Sequence, residues 1–110
     1  MKYTLVVMTG PENGMGHDRA RGFAQALAQQ GHRLQRVFFY GDGVRAAQGE
    51  TPQCQQFWTT LAKSEGSELV LCSTSAERYG LTEPVPPFTL MGLGALMEAG
   101  FDSDRIISFD

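Results

Sequence analysis

The sequence predicts an α/β fold: one domain spanning residues 1–110, built on a parallel sheet of about five strands with helices on both faces. Three observations predict it. Several short apolar runs show no polar alternation, as strands buried on both faces do. The segments between them carry apolar residues at helical spacing. Glycine and proline fall where one kind of segment gives way to the other.

Taken in order, Tyr3 to Met8 is an apolar run closed by Thr9-Gly10-Pro11, a strand followed by a turn. Asp18 to Gln30 carries Ala20, Phe23, Ala24, Leu27 and Ala28 on one face, with Gly31 as the C-terminal cap of that helix. His32 to Tyr40 contains Val37-Phe38-Phe39-Tyr40, a second strand stopped by Gly41-Asp42-Gly43. Thr51-Pro52 reads as a cap and first helical residue, followed by Cys54, Phe57, Trp58, Leu61 and Ala62 along one face. Glu68 to Cys72 is the third strand, and a short helix closed by Gly80 follows it. Glu83 to Pro87 holds too much proline to be helical. Phe88-Thr89-Leu90 is a short strand, Gly92 to Ala99 a helix ending at Gly100, and Arg105 to Phe109 the last strand. No repeat, low-complexity tract or linker interrupts the alternation. Such an order implies right-handed crossovers between parallel strands.

Composition narrows the function. A chain of 110 residues buries enough surface to fold without a metal or disulfide staple. The net charge of −3 and pI near 5.3 argue against a dedicated nucleic-acid binder. The opening MKYTLVVMTG has too short an apolar run for a signal peptide, and no stretch approaches the length of a membrane span. These features point to a cytoplasmic protein whose two cysteines are free thiols.

In a parallel α/β sheet, functional groups gather at the carboxyl ends of the strands. That rule singles out Thr9 to Gly16, Tyr40 to Val44, and Cys72 to Ser75. Cys72 ends a strand just before a helix start, where free backbone N–H groups favour a thiolate. The small residues Ser73, Thr74 and Ser75 would leave its sulfur approachable. Buried free cysteines are common, so position alone leaves a reactive thiol and a packing thiol both open. Cys54 lies on the apolar stripe of its helix with Phe57, Trp58 and Leu61, and reads as a packing residue.

Other motifs are weaker. Cys72 and Arg78 match the C-x5-R pattern of cysteine phosphatases, arsenate reductases and rhodanese-like loops. Such a loop normally needs glycine to wrap an anion, whereas Ser73 to Glu77 has none and Glu77 would repel phosphate. The stretch TGPENGMGH, Thr9 to His17, lacks the order of a dinucleotide or P-loop motif and reads as a plain loop at a pocket edge. His17 reads as a solvated helix-start residue and His32 as a strand-start residue. Neither has partners at metal-ligand spacing.

Four segments together carry a family resemblance that runs nearly end to end. They are Thr9-Gly10-Pro11; Phe23 to Leu27 through Gly31-His32 to Val37-Phe38-Phe39-Tyr40 and Gly43-Val44; Leu71-Cys72 with Arg78 and Gly80; and Phe88-Thr89-Leu90, Gly92 to Leu96, Glu98-Ala99 and Asp104-Arg105. In their order and spacing the chain resembles the DsrE-like family of sulfur-relay proteins, in its TusD-like branch. The resemblance implies a flavodoxin-like layering and places the family's sulfur-carrying cysteine on Cys72. It implies a sulfurtransferase subunit holding a persulfide in a relay for 2-thiolation of the tRNA wobble uridine, with no metal or organic cofactor. It also implies a heterohexamer with TusB-like and TusC-like subunits, a TusA-like sulfur donor and a TusE-like acceptor, and no direct contact with nucleic acid or membrane. The chain departs from the pattern in shorter segments between Val44 and Phe57 and before Phe88. The alternatives are a related relay in sulfur oxidation, the C-x5-R enzyme, and a non-catalytic assembly subunit. Phe57, Trp58 and the loop from Pro84 to Phe88 are candidate contact surface, though both aromatics also suit a core.

Overall fold

A computed structural model describes residues 1–11, 15–48, 52–92, 94 and 103–110. Nine elements follow one another in these residues: β1 (Lys2–Val7), α1 (Gly16–Gln29), β2 (Arg33–Phe39), a 3-10 helix (Gly41–Ala47), α2 (Pro52–Glu65), β3 (Glu68–Cys72), α3 (Ser73–Arg78), β4 (Phe88–Met91) and β5 (Arg105–Phe109). The five strands form one parallel sheet in the order β4-β3-β2-β1-β5. The α/β class and the strand number expected from the apolar runs are those the chain adopts.

Each strand sends alternate side chains to opposite faces. Leu5, Val7, Val37, Phe39, Leu69 and Leu71 point to one face. There they join Ala20, Ala24 and Leu27 of α1, Cys54, Trp58 and Ala62 of α2, and Ala76 of α3 in the main core. Val6, Phe38, Val70 and Cys72 point to the other face and form a second, smaller cluster with Met8 packed against it. This is why the central strands read as continuous apolar runs rather than alternating ones. The three described α-helices all pack in the first cluster. The helix expected over Gly92 to Ala99 falls almost wholly outside the described residues.

The succession β1, β2, β3, β4 steps across the sheet in one direction, which puts the right-handed crossovers through α1, α2 and α3 on one face. The chain then returns to lay β5 beside β1, so the topological switch point lies between those two strands. Backbone segments approach closely at the carboxyl ends of the strands on either side of β1. A Cβ on Gly16, at the start of α1, would stand 2.5 Å from the Asp110 carbonyl oxygen, and one on Gly43 would stand 2.0 Å from that of Val7. Only glycine fits at either position. The cap expected at Gly31 is present, with φ of +78°.

Candidate functional site

Leu69-Val70-Leu71 carries β3 into the core, and Cys72 ends it with extended backbone (φ −62°, ψ 120°) immediately before α3. Cys72 is therefore the residue at which strand becomes helix, as its place in the sequence suggested. Three contacts hold α3 in place. Ser75 Oγ accepts a hydrogen bond from the Gly41 N–H at 2.9 Å, tying the first turn of α3 to the end of β2. At the other end of α3, the Tyr79 hydroxyl donates to Asp42 Oδ1, and the Arg45 guanidinium lies 5.8 Å from the Tyr79 ring centroid. The hydrogen bond to the Asp42 carboxylate holds the Tyr79 hydroxyl above its ordinary value of 10.0, because ionisation would set two anions face to face. The 3-10 helix, which the sequence reading passed over as a glycine-rich stop, is thus the brace for α3.

The sulfur is less open than the small residues after it suggested. Cys72 is only 1% exposed. Strand alternation turns its side chain onto the second face, beside Val6, Phe38 and Val70, with Met8 against them. Ser73, Thr74 and Ser75 do not form an open loop over it but the first turn of α3, with Ser75 buried. The Cys72 thiol has no hydrogen-bond partner among the described residues.

The same helix removes the anion-clamp alternative. A C-x5-R cradle needs the intervening N–H groups to converge on one point. Here residues Ser73–Arg78 are helical, so those groups align with the helix axis, and Arg78 stands exposed in the last turn. Six residues of α-helix put about 9 Å of rise between the two ends.

His17 requires a correction. It is not a solvated helix-start residue but 0% exposed. The helix begins two residues earlier than the apolar spacing indicated, at Gly16, and this turns His17 inward beneath the strand ends. Its Nδ1 lies 2.8 Å from the Thr9 carbonyl oxygen. Its Nε2 receives the Trp58 indole N–H at 3.0 Å and lies 3.1 Å from Cys54 Sγ. A carbonyl only accepts and an indole N–H only donates, so Nδ1 carries the proton and Nε2 offers a lone pair. The ring also stacks on Phe39, with centroids 6.4 Å apart. Cys54 is the packing cysteine its helical face indicated, with an added S–H to histidine contact. Sequence pattern could not bring together residues from α1 and α2 that lie 37 positions apart.

This cluster resembles a catalytic Cys–His pair only at first sight. Cys54 Sγ shares His17 Nε2 with the Trp58 indole N–H, so the nitrogen that would take a thiol proton is already engaged. The arrangement fastens α1, α2 and the end of β1 together. Both cysteines are free thiols, Cys54 in the main core and Cys72 in the second cluster. Trp58 is fully buried and so drops out as contact surface, whereas Phe57 is half-buried. With Leu61 it lines a surface groove of about 430 Å³ rimmed by Gln25, Gln53, Gln56, Thr60 and Ser64. The loop before β4 is exposed at Val85, and Phe88, the first residue of β4, is buried. No helix among the described residues is long and apolar enough to cross a membrane.

With this geometry in place, comparison with known proteins is specific. The DsrE/DsrF-like family matches residues 1–109. The chain is 40% identical to the sulfurtransferase TusD of Serratia proteamaculans, with 99% of each chain covered. It is 38% identical to the sulfurtransferase TusD of Klebsiella pneumoniae strain 342, covering 99% of this chain and all of that one. A protein named DsrE from Allochromatium vinosum is 34% identical, over 99% of this chain and 98% of that one. The alignment with the Serratia protein runs to 129 positions against the 110 residues here, so that relative has segments this chain lacks. The fold matches that of the YchN protein of Escherichia coli with a TM-score of 0.86 at 21% identity, over 99% of both chains.

Proposed function

The chain belongs to the DsrE/DsrF-like family, and from that premise we propose that it is a sulfurtransferase whose sulfur-carrying residue is Cys72. One observation carries the choice of residue: Cys72 alone of the two thiols stands at a strand's carboxyl end with its sulfur not engaged by a neighbouring polar group among the described residues. The exchange needs no net oxidation. The Cys72 thiolate attacks the outer sulfur of a donor persulfide, R–S–SH. The bond between the two donor sulfurs breaks, R–S⁻ leaves, and Cys72 becomes a persulfide. An acceptor thiolate then attacks that outer sulfur, takes it, and releases the Cys72 thiolate. Rates in such exchanges depend on thiolate fraction, intrinsic nucleophilicity and access.

The domain spanning residues 1–110 acts in the cytoplasm as one subunit of an assembly with TusB-like and TusC-like chains. It receives sulfur from a TusA-like donor and passes it to a TusE-like acceptor, toward 2-thiolation of the tRNA wobble uridine. The full-length likeness to proteins named TusD supports this reading. So do the exposed apolar side chains Met15, Tyr40 and Met91 at the carboxyl rim of the sheet, since exposed apolar groups suit protein contact. The relative named DsrE supports a second endpoint, a relay in sulfur oxidation. The test has two arms. Purified chain is loaded from a persulfide donor carrying labelled sulfur, and the label is followed to an acceptor protein. In cells lacking the gene, thiolated tRNA is measured. Transfer of label with loss of 2-thiouridine is expected; label that never leaves the donor contradicts the carrier role, and normal thiolation contradicts the tRNA endpoint.

A further inference from the structure

Charged residues make up 19% of this chain, yet none occurs between Gly22 and His32 or between Thr51 and Ala62. These runs supply most of α1 and α2, which lie on the same face of the sheet. A helix that packs one stripe on a core ordinarily carries charges on its outer side. From Gly22 onward the outer side of α1 instead shows Gly22, Gln25, Ala26 and Gln29, all exposed. Beside this ridge runs the groove of about 430 Å³, with Gln25 on the α1 side, Gln53 and Gln56 on the α2 side, and half-buried Phe57 and Leu61 in its wall. The Trp58 ring meets Phe57 edge-to-face at 5.2 Å, and the Arg21 guanidinium lies 5.9 Å from the Phe57 centroid. Arg21 is itself paired with Asp18, so its charge is matched within α1. A ridge and a groove, both uncharged, therefore stand side by side on one surface.

We propose that this surface is a two-fold contact between two copies of the chain, with the α1 ridge of each copy seated in the groove of the other. A two-fold axis sets one patch against itself, so the patch has to be its own complement. In shape it is, because ridge adjoins groove and helices pack by ridges into grooves. In polarity it is as well. A carboxamide both donates and accepts, so Gln25 of one copy can pair with Gln53 or Gln56 of the other, whereas a rim of like charges would be repelled by its own copy. An aromatic side chain among uncharged neighbours is also the composition of an interface core. The same lack of basic side chains tells against nucleic acid as the occupant. The contact lies on the sheet face opposite Cys72, so it goes beyond the sulfur chemistry and does not depend on it.

Gly22 allows a test that spares the fold. A Cβ there meets nothing within 4 Å, and glycine is a poor helix residue, so Gly22→Lys should leave the folded chain at least as stable. In sedimentation equilibrium, wild type is expected to move from 12.1 kDa toward twice that mass as concentration rises, with little dependence on salt. Gly22→Lys on the ridge and Gln56→Glu in the groove are each expected to weaken the dimer by about tenfold or more, because each buries a charge without a partner. Mixed together, the two variants are expected to associate again, since the new ammonium of one meets the new carboxylate of the other. Circular dichroism and melting confirm that each variant is folded. Wild type that stays at 12.1 kDa up to about 1 mM would overturn the contact, and would leave this face to a different protein. Variants that dimerise as wild type does would overturn it too, as would a mixture no tighter than either variant alone. The masses are read without a sulfur donor, so failure of this contact and failure of the carrier role at Cys72 are distinguishable.

Discussion

The two thiols of this chain lie on opposite faces of one sheet. Cys54 sits in the main core, 3.1 Å from an imidazole, and is 4% exposed. Cys72 sits in the smaller cluster, among Val6, Phe38 and Val70, and is 1% exposed. By exposure the two are alike, and by proximity to histidine Cys54 looks the more reactive. The hydrogen bonds reverse that ranking. His17 gives its proton to the Thr9 carbonyl and its lone pair to Trp58, so it has no free basic nitrogen with which to activate a thiol. A histidine beside a cysteine becomes a base only if its acceptor is unspent. Cys72 has no such tether among the described residues.

If His17, Trp58 and Cys54 are a fastening, breaking them should cost stability and leave sulfur exchange at Cys72 in place. Trp58→Ala has the largest expected effect, about 3–5 kcal/mol in chemical denaturation, since it empties a fully buried indole site. His17→Ala should cost about 2–4 kcal/mol, because it strands the Trp58 N–H as well as leaving a void. A loss of under about 0.5 kcal/mol in either variant, the level of a plain surface change, would break the fastening reading.

The opposite side of the comparison predicts smaller changes. Ser75→Ala leaves the Gly41 N–H without its acceptor and should cost about 1 kcal/mol. It should also alter the rate of Cys72 exchange, because it loosens the helix start that fixes that residue, whereas Cys54→Ser should not. The smallest effect is spectroscopic. Tyr79 should ionise above the ordinary tyrosine value, and Asp42→Asn should bring it back toward 10.0 by removing the carboxylate that opposes the phenolate. The raised value has a definite sign for folding. The Asp42–Tyr79 contribution is present below the unfolded tyrosine value and is lost as pH rises through the folded one. An ultraviolet titration of the two proteins checks this, and identical curves would remove Asp42 as the cause.

The sheet was readable because its signal is local. β3 and β5 begin and end where their apolar runs do, at Glu68–Cys72 and Arg105–Phe109. The position of Cys72 at the strand's end was readable for the same reason. Its burial was not, because that depends on Val6 and Phe38, which lie on other strands. The inward turn of His17 depends on where α1 begins and on residues of α2, neither of which spacing records. The 3-10 helix after β2 was missed because Gly41-Asp42-Gly43 carries the composition of a turn. Its role as a brace comes from a backbone N–H and a side chain in α3.

The most direct measurement is the site of sulfur uptake. Wild type, Cys72→Ser and Cys54→Ser are exposed to a persulfide donor, and the added sulfur is followed by intact mass and mapped by peptide mass spectrometry. The account predicts one added sulfur on Cys72 in wild type and in Cys54→Ser, and none in Cys72→Ser. Sulfur found mainly on Cys54, or retained in Cys72→Ser, would contradict it.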